Sequence, residues 1–459
     1  MSMPRGLPMP GLEIGATEPG QRRCEVFVIG CGPAGSTIAA LLAERGRDVA
    51  VVDKDRHPRF HIGESLLPLN MPILERLGVW DELVKIGMRK DAAEFESRAA
   101  GKTVEFRFCT AFDKRWAHAF QVRRSEFDHM LLRNCAAKGA RVYEGARVTS
   151  VDFGDLARNE DTVVHLQLED ASRQEWRTRF LVDASGRDTF LAERFGIKRR
   201  NRKHASAAIF GHFRNARRNP GAAEGNITIV WFEHGWFWFI PLKDGTTSVG
   251  AVCWPAYLKS RKTDPTTFFM QTVAMAPEIA ERLKDAELAA PVTATGNYSY
   301  TATRMSGPGY LMVGDAWAFI DPVFSSGVYL AMNSSALGAD VVDAVLEDPA
   351  CAPALYREFE RTVRRGVGAF SWLIYRMTNP VIRRLFLAPR NVLGVRSAVV
   401  SLLAGDVFRA GPVRARLYLF RALYYVNFIA HWPTAFRAWR KRRQNMRASI
   451  ETAAAASEP

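Results

Sequence analysis

The run Val26-Phe27-Val28-Ile29, closing in Gly30-Cys31-Gly32-Pro33-Ala34-Gly35, constrains this chain more than any other stretch. An apolar β-type segment ends there in G-x-G-x-x-G and opens onto Ser36-Thr37-Ile38-Ala39-Ala40-Leu41-Leu42, which reads as strand, tight turn and helix. In such a unit the first glycine makes the turn, the second lets backbone approach a pyrophosphate, and the third lets the helix pack on the strand. The partly positive helix N-terminus then faces the phosphates. A second apolar run, Asp48-Val49-Ala50-Val51-Val52-Asp53, ends in an acid at the spacing where a βαβ unit sets a carboxylate on a ribose hydroxyl. Together the two runs predict a dinucleotide site built on Gly30, Gly32, Pro33, Ala34, Gly35, Ser36 and Asp53.

A chain of 459 residues exceeds the size at which one core keeps growing, so two or three packed parts are expected. No run reaches about eighteen uninterrupted apolar residues, so no membrane-spanning helix is expected. Residues 1–22 are rich in Pro and Gly without an apolar core of the signal-peptide kind, and read as a flexible lead-in. The six cysteines are scattered without C-x-x-C pairs, which predicts reduced thiols, a cytoplasmic setting and no metal site. The net charge of +15 is concentrated: Arg361 to Ser449 holds eighteen Lys and Arg against one acid, Asp406. No nucleic-acid-binding motif accompanies it. A solvated helical face, an acidic protein partner and an anionic membrane surface all remain open for that segment.

Along the chain, Met71 to Ile86 reads as an amphipathic helix, and Gln121 to Asp128 introduces another. Alternating runs at Val142–Phe153 and Thr162–Leu168 predict a β-meander that returns through Phe180-Leu181-Val182-Asp183-Ala184-Ser185-Gly186-Arg187. Residues 201–300 are rich in β-branched and aromatic residues and predict a separate antiparallel sheet. A third strand-turn-helix unit, Tyr310-Leu311-Met312-Val313-Gly314-Asp315-Ala316, appears late. The fold class expected is therefore α/β: a discontinuous Rossmann-like domain (23–200 and 301–348), an inserted β-sheet substrate domain (201–300), a basic helical region (349–449) and a disordered tail (450–459).

G-x-G-x-x-G, Asp183-Ala184-Ser185-Gly186-Arg187 and Gly314-Asp315, in that order, resemble the FAD-binding set of the aromatic-hydroxylase-like flavoproteins. Within that family, Gly235-Trp236-Phe237-Trp238-Phe239-Ile240-Pro241 matches the W-x-W-x-I-P signature of flavin-dependent halogenases, and Gly63-Glu64-Ser65-Leu66-Leu67-Pro68 is similar to their flavin-side loop. The resemblance implies FAD as cofactor, with Ser65, Arg124, Asp315 and Val328 among its contacts. It implies chloride or bromide on the backbone of Ser326 and Gly327, and a passage walled by Trp236, Trp238 and Pro241. Lys90-Asp91-Ala92-Ala93-Glu94-Phe95 is similar to the family's K-x-G-A-x-F context, with Ala92 where the glycine stands, and implies Lys90 as the catalytic residue. Phe324 stands where tryptophan-type members carry a glutamate, which implies the branch acting on phenols or pyrroles, often tethered to carrier proteins.

Each of these residues also has a plainer reading: Lys90 as a surface lysine, Ser326 as an N-cap, Trp236 and Trp238 as strand packing, and Arg124 as a partner of Glu126 or Asp128. His61 and Glu64 are expected to serve the loop backbone. No second G-x-G-x-x-G follows a strand, which implies reduced FAD from a separate flavin reductase. A flavin hydroxylase, a membrane-peripheral flavoprotein and a flavin reductase of unsaturated lipids are the rival readings. The basic C-terminus is expected to meet an acidic carrier protein or, as a peripheral contact, a membrane.

Overall fold

Strands buried on both faces read as continuous apolar runs, and four such runs with the mixed edge strand Arg141–Glu144 form the parallel core of the first sheet. The computed structural model describes residues 22–201, 203–296, 299–408 and 411–454; the expected lead-in lies outside them except for Arg22. Arg23–Ile29 is central, flanked by Val49–Asp53 and then Arg141–Glu144 on one side, and by the end of Arg173–Asp183 and then Tyr310–Met312 on the other. All five run parallel, and Tyr310–Met312 joins them from beyond residue 300. The expected meander is present: Ala146–Asp152 and Thr162–Leu168 pair antiparallel, and Thr162–Leu168 pairs with the start of Arg173–Asp183. Helix Pro33–Ala43 packs against the long helix Ser326–Glu347, covering one face of this sheet.

The second sheet follows a period of two. In Gly235–Pro241 the residues Trp236, Trp238 and Ile240 face one apolar cluster, while Phe237 and Phe239 face another. The first cluster is completed by C-terminal helices through Phe370, Phe386 and Val399. The second is completed by helices Pro265–Ala274 and Pro277–Arg282, which the β-rich composition of 201–300 concealed.

Several expectations change. The sheet recruits Ala92–Ser97 and Lys102–Arg107, which lie within the segment 23–200 expected to bind FAD. It is also not purely antiparallel, because Ile227–Phe232 runs parallel to Ala92–Ser97. The helix expected over 71–86 is two, Met71–Leu77 and Trp80–Ile86. From residue 349 the described residues are mainly helical, and the last helix, Trp432–Ala454, runs past the boundary expected at 450.

Candidate active site

At the end of the central strand, Gly30 has φ of +99°, and a Cβ there would lie 2.5 Å from the carbonyl oxygen of Ala184. A Cβ on Gly35 would lie 1.7 Å from the carbonyl oxygen of Gly30, so strand and helix meet at a distance only glycine permits. Gly32 differs: a Cβ there would meet nothing nearer than Arg59 at 3.8 Å. Its open side belongs to a cavity of about 580 Å³ that runs from this turn to the second sheet. Gly32 caps helix Pro33–Ala43 with no side-chain hydrogen bond, leaving the first N–H groups for an anion.

Gly30, Gly32, Pro33, Ala34, Asp53, Ser65, Arg124, Asp315 and Val328 all line this cavity. Gly35 and Ser36 do not. Ser36 is buried and donates its hydroxyl to the carbonyl of Cys31, so it holds the turn from behind. Asp53 accepts the N–H of Cys31 at 2.8 Å, tying the two strand ends together at the cavity edge. Lys54, Arg59, Arg147 and Arg187 add positive charge to the same walls. Of these, Arg187 closes the Asp183-Ala184-Ser185-Gly186-Arg187 motif and Arg59 precedes the flavin-side loop, so neighbouring signals pointed to both without marking the side chains. Asp55 and Asp188 on the same walls pair with Arg59 and Lys54, so the fit to a pyrophosphate rests on the open glycine and the uncapped helix N–H groups, with Arg59 beside them.

Arg124 opens helix Arg124–Ala137 and is buried against Asp128, which it grips through Nε at 2.7 Å and Nη2 at 2.8 Å. Its Nη1 donates to the carbonyl of Ile62 at 2.8 Å, so it also pins the flavin-side loop to the cavity. The ion-pair reading of this arginine holds, with Asp128 as the partner, and the side chain also lines the cavity. Burial pushes Asp315 up to about 7, opposed by Arg124 and Arg187. The Arg124 charge, with burial, pulls the neighbouring His61 down to about 4 and so holds it neutral. Glu64 is buried and paired to His212, Nε2 to Oε1 at 2.7 Å, with its Oε2 unpartnered.

Lys90 is only 1% exposed. It ends the strand Met88–Lys90, which pairs with Ala119–Gln121, so the pleat turns its side chain inward. Nζ donates to Ser65 Oγ at 2.9 Å and to the carbonyl of Leu66 at 2.5 Å, and lies 5.4 Å from the ring centre of Phe108. Burial pulls its amine from 10.5 down to about 7.

Its chamber, walled by Phe95, Phe108, Phe324 and Leu403, holds about 10 Å³, room for about one water-sized molecule. Ile227 and Ser325 wall both this chamber and the large cavity, while Ser65 touches Lys90 from the cavity side. Asn226, which no local pattern singled out, fixes the chain just beyond Lys90. Its Oδ1 accepts from the N–H of Asp91 at 3.1 Å and of Ala92 at 2.9 Å, and its Nδ2 donates to buried Glu94 at 2.7 Å.

Trp236 and Trp238 line the large cavity and also pack in the sheet's core; Pro241 ends the strand without reaching the cavity. Gly327 faces the cavity, whereas Ser326 is buried beside it; the helix they begin is capped by Ser325 in the left-handed region without a side-chain hydrogen bond.

Residues 23–352 match the family model described as FAD binding domain. The chain is 34% identical to a tryptophan 2-halogenase of Chondromyces crocatus over 72% of its own length and 64% of the relative's, so it spans under two thirds of that protein. It is 30% identical to the 1H-pyrrole-2-carbonyl-[peptidyl-carrier protein] chlorinase of Pseudomonas fluorescens, over 84% of this chain and 89% of that one. Among solved structures, a flavoprotein/dehydrogenase from Cytophaga hutchinsonii superposes with a TM-score of 0.81 at 28% identity, covering 89% of this chain and all of that one. The myxobacterial chondrochloren halogenase does so at 0.73 and 30%, covering 89% and 97%. A turn shaped for a pyrophosphate, a cavity lined by paired tryptophans and these likenesses have one common account: the chain belongs to the flavin-dependent halogenases, a family of FAD-binding flavoproteins.

Proposed function

We propose that this enzyme halogenates an electron-rich aromatic ring, of phenol or pyrrole type, and that Lys90 hands over the halogen. The observation that carries the reading is the placement of Lys90: a fully buried amine in a chamber that shares the walls Ile227 and Ser325 with the large cavity. Bound FAD, reduced and in the presence of oxygen, supplies the oxidising power that converts chloride or bromide into hypohalous acid.

The chain's own residues hold, guide and protect. Gly30, Gly32 and the helix start at Pro33-Ala34 carry the pyrophosphate, Asp53 the ribose, and Ser65, Arg124, Asp315 and Val328 border the rest of the cofactor. The uncapped N–H groups at Ser326 and Gly327 offer a halide donors without a covalent ligand. Trp236 and Trp238 fill the wall between the cavity and the sheet core and keep an aromatic substrate off the cofactor.

With its amine near 7, Lys90 is present in both protonation states at neutral pH. The ammonium donates a hydrogen bond to the hypohalous oxygen. The free amine instead takes the halogen itself, an N–H bond giving way to N–halogen while the oxygen leaves as water. Ring attack on the halogen then returns the proton lost from the ring carbon to the lysine.

Phe324 in the chamber wall leaves no carboxylate there to pair with a substrate amine, which favours a phenol or pyrrole over tryptophan. The likeness to a chlorinase that acts on a carrier-bound pyrrole supports a tethered substrate. Electrons reach FAD from a separate flavin reductase in the cytoplasm. The test is incubation with FAD, a flavin reductase, NADH, oxygen and bromide against phenols, pyrroles and indoles, free and carrier-bound, read by isotope pattern. Lys90→Ala is expected to lower halogenated product by about a thousandfold while keeping the FAD absorbance. Halogenation that survives in this variant, or oxygen insertion that ignores halide, overturns the reading.

A further inference from the structure

Helices Pro412–Ala430 and Trp432–Ala454 follow one another with a single residue, His431, between them. Val413, Phe420, Tyr424 and Ala435 turn inward and are buried. Outward, Tyr418, Tyr425, Ile429, Trp432, Phe436 and Trp439 recur at intervals of three, four or seven residues, a helical stripe that continues across the joint. Ile429 is 70% exposed, Val426 63% and Trp432 52%. The rings form a stack, Trp432 on Phe436 at 5.0 Å and Phe436 on Trp439 at 5.4 Å, so the stripe is ordered without a partner beneath it.

Its charge is one-sided. Residues 412–446 hold eight Lys and Arg and no acid. Guanidinium groups bracket the rings, Arg421 over Tyr418 at 5.3 Å and Arg443 over Trp439 at 4.9 Å. Among the described residues no helix is long and apolar enough to cross a membrane.

We propose that this face lies flat on an anionic lipid bilayer, with the aromatic and aliphatic stripe at the headgroup level and the flanking cations on lipid phosphates. From Tyr418 to Trp439 the stripe covers about 30 Å of helix. Over that whole length its side chains need apolar depth and its cations need anions. A charged bilayer supplies both at once, since Trp and Tyr settle at the interface and basic residues at its surface. An acidic protein would need an apolar groove as long as the stripe as well as its charge. The proposal does not depend on the role of Lys90, so the two fail separately.

The test uses the full chain loaded with FAD, sedimented with vesicles of phosphatidylcholine or of equal parts phosphatidylcholine and phosphatidylglycerol. The protein is expected to pellet with the mixed vesicles at low salt, to stay in solution with phosphatidylcholine alone, and to show blue-shifted tryptophan emission when bound. Arg440→Glu and Arg443→Glu should each weaken binding by at least about fivefold, the share of one surface charge. Ile429→Glu combined with Trp432→Glu should abolish pelleting while FAD absorbance and melting temperature stay as in the wild type. Equal partition with both vesicles, or pelleting unchanged in the double variant, overturns the proposal. So does self-association without lipid, or capture of an acidic carrier protein without lipid binding, that the same variant removes.

Discussion

Replacing Lys90 by Met should make this protein more stable at neutral pH while removing its proposed activity. In the unfolded chain the amine holds its proton up to about 10.5; in the fold, burial lowers that point to about 7. The difference corresponds to about 4 to 5 kcal/mol against the folded state wherever both forms are protonated. Below pH 7 the whole cost is present; between 7 and 10.5 it falls away as the folded amine releases its proton first; above 10.5 it is gone. Methionine fills a similar volume without a charge, but it leaves Ser65 Oγ and the carbonyl of Leu66 without their donor, which returns about 1 to 3 kcal/mol. The net is a stabilisation of about 2 kcal/mol near pH 7, shrinking with rising pH and changing sign before pH 10.

Thermal melts of the FAD-loaded wild type and Lys90→Met, taken between pH 6 and pH 10, measure this directly. A variant that melts below the wild type at pH 6, by a margin that does not move with pH, would refute the claim that desolvation dominates at Lys90. A cost of several kcal/mol is retained where the position gains something other than stability.

Two further perturbations separate positioning from cofactor binding. Asn226→Ala removes the acceptor shared by the N–H groups of Asp91 and Ala92, loosening the strand end that aims Lys90. Halogenation should fall by about ten- to a hundredfold, matching about 1 to 3 kcal/mol, with FAD affinity unchanged; a parallel loss of FAD in a binding titration would count against it. At the phosphate turn, Gly35→Ala should prevent folding because its Cβ meets the Gly30 carbonyl, whereas Gly32→Ala should fold normally and bind FAD more weakly, since its Cβ projects into the open cavity. Equal expression and equal FAD content for both variants would refute that division of labour.

What could be seen in the sequence was local. The turn at Gly30 to Gly35, the acid closing Val49–Asp53 and the alternation of Trp236, Trp238 and Ile240 against Phe237 and Phe239 each occupy fewer than fifteen consecutive residues. Their physics, a steric limit or a pleat, acts over that range. The parallel pairing of Ile227–Phe232 with Ala92–Ser97 joins segments more than a hundred residues apart, and no pattern within either strand specifies its partner. The helices over 255–282 were hidden for a different reason: Phe268, Phe269 and Val273 are β-type residues whose place in a helix is decided by the sheet they cover.

Lys90 joins the two kinds of information. Its local context, ending in Phe95, marked it as a candidate, but nothing local distinguishes a buried lysine from a surface one. Burial comes from elements far along the chain, Phe324 from the short helical turn before the long helix and Leu403 from the C-terminal helices, while Asn226, at the start of the strand that pairs beside it, holds the backbone just beyond Lys90. Sheet pairing first sets where the strand end points; side chains contributed later in the chain then remove water from it; the lowered amine follows from that removal. The same order explains why Ala92 is tolerated at the glycine of the family pattern. Ala92 is itself buried, its backbone is held in the strand by Asn226, and its φ is not in the left-handed region, so a methyl group there costs no conformational strain.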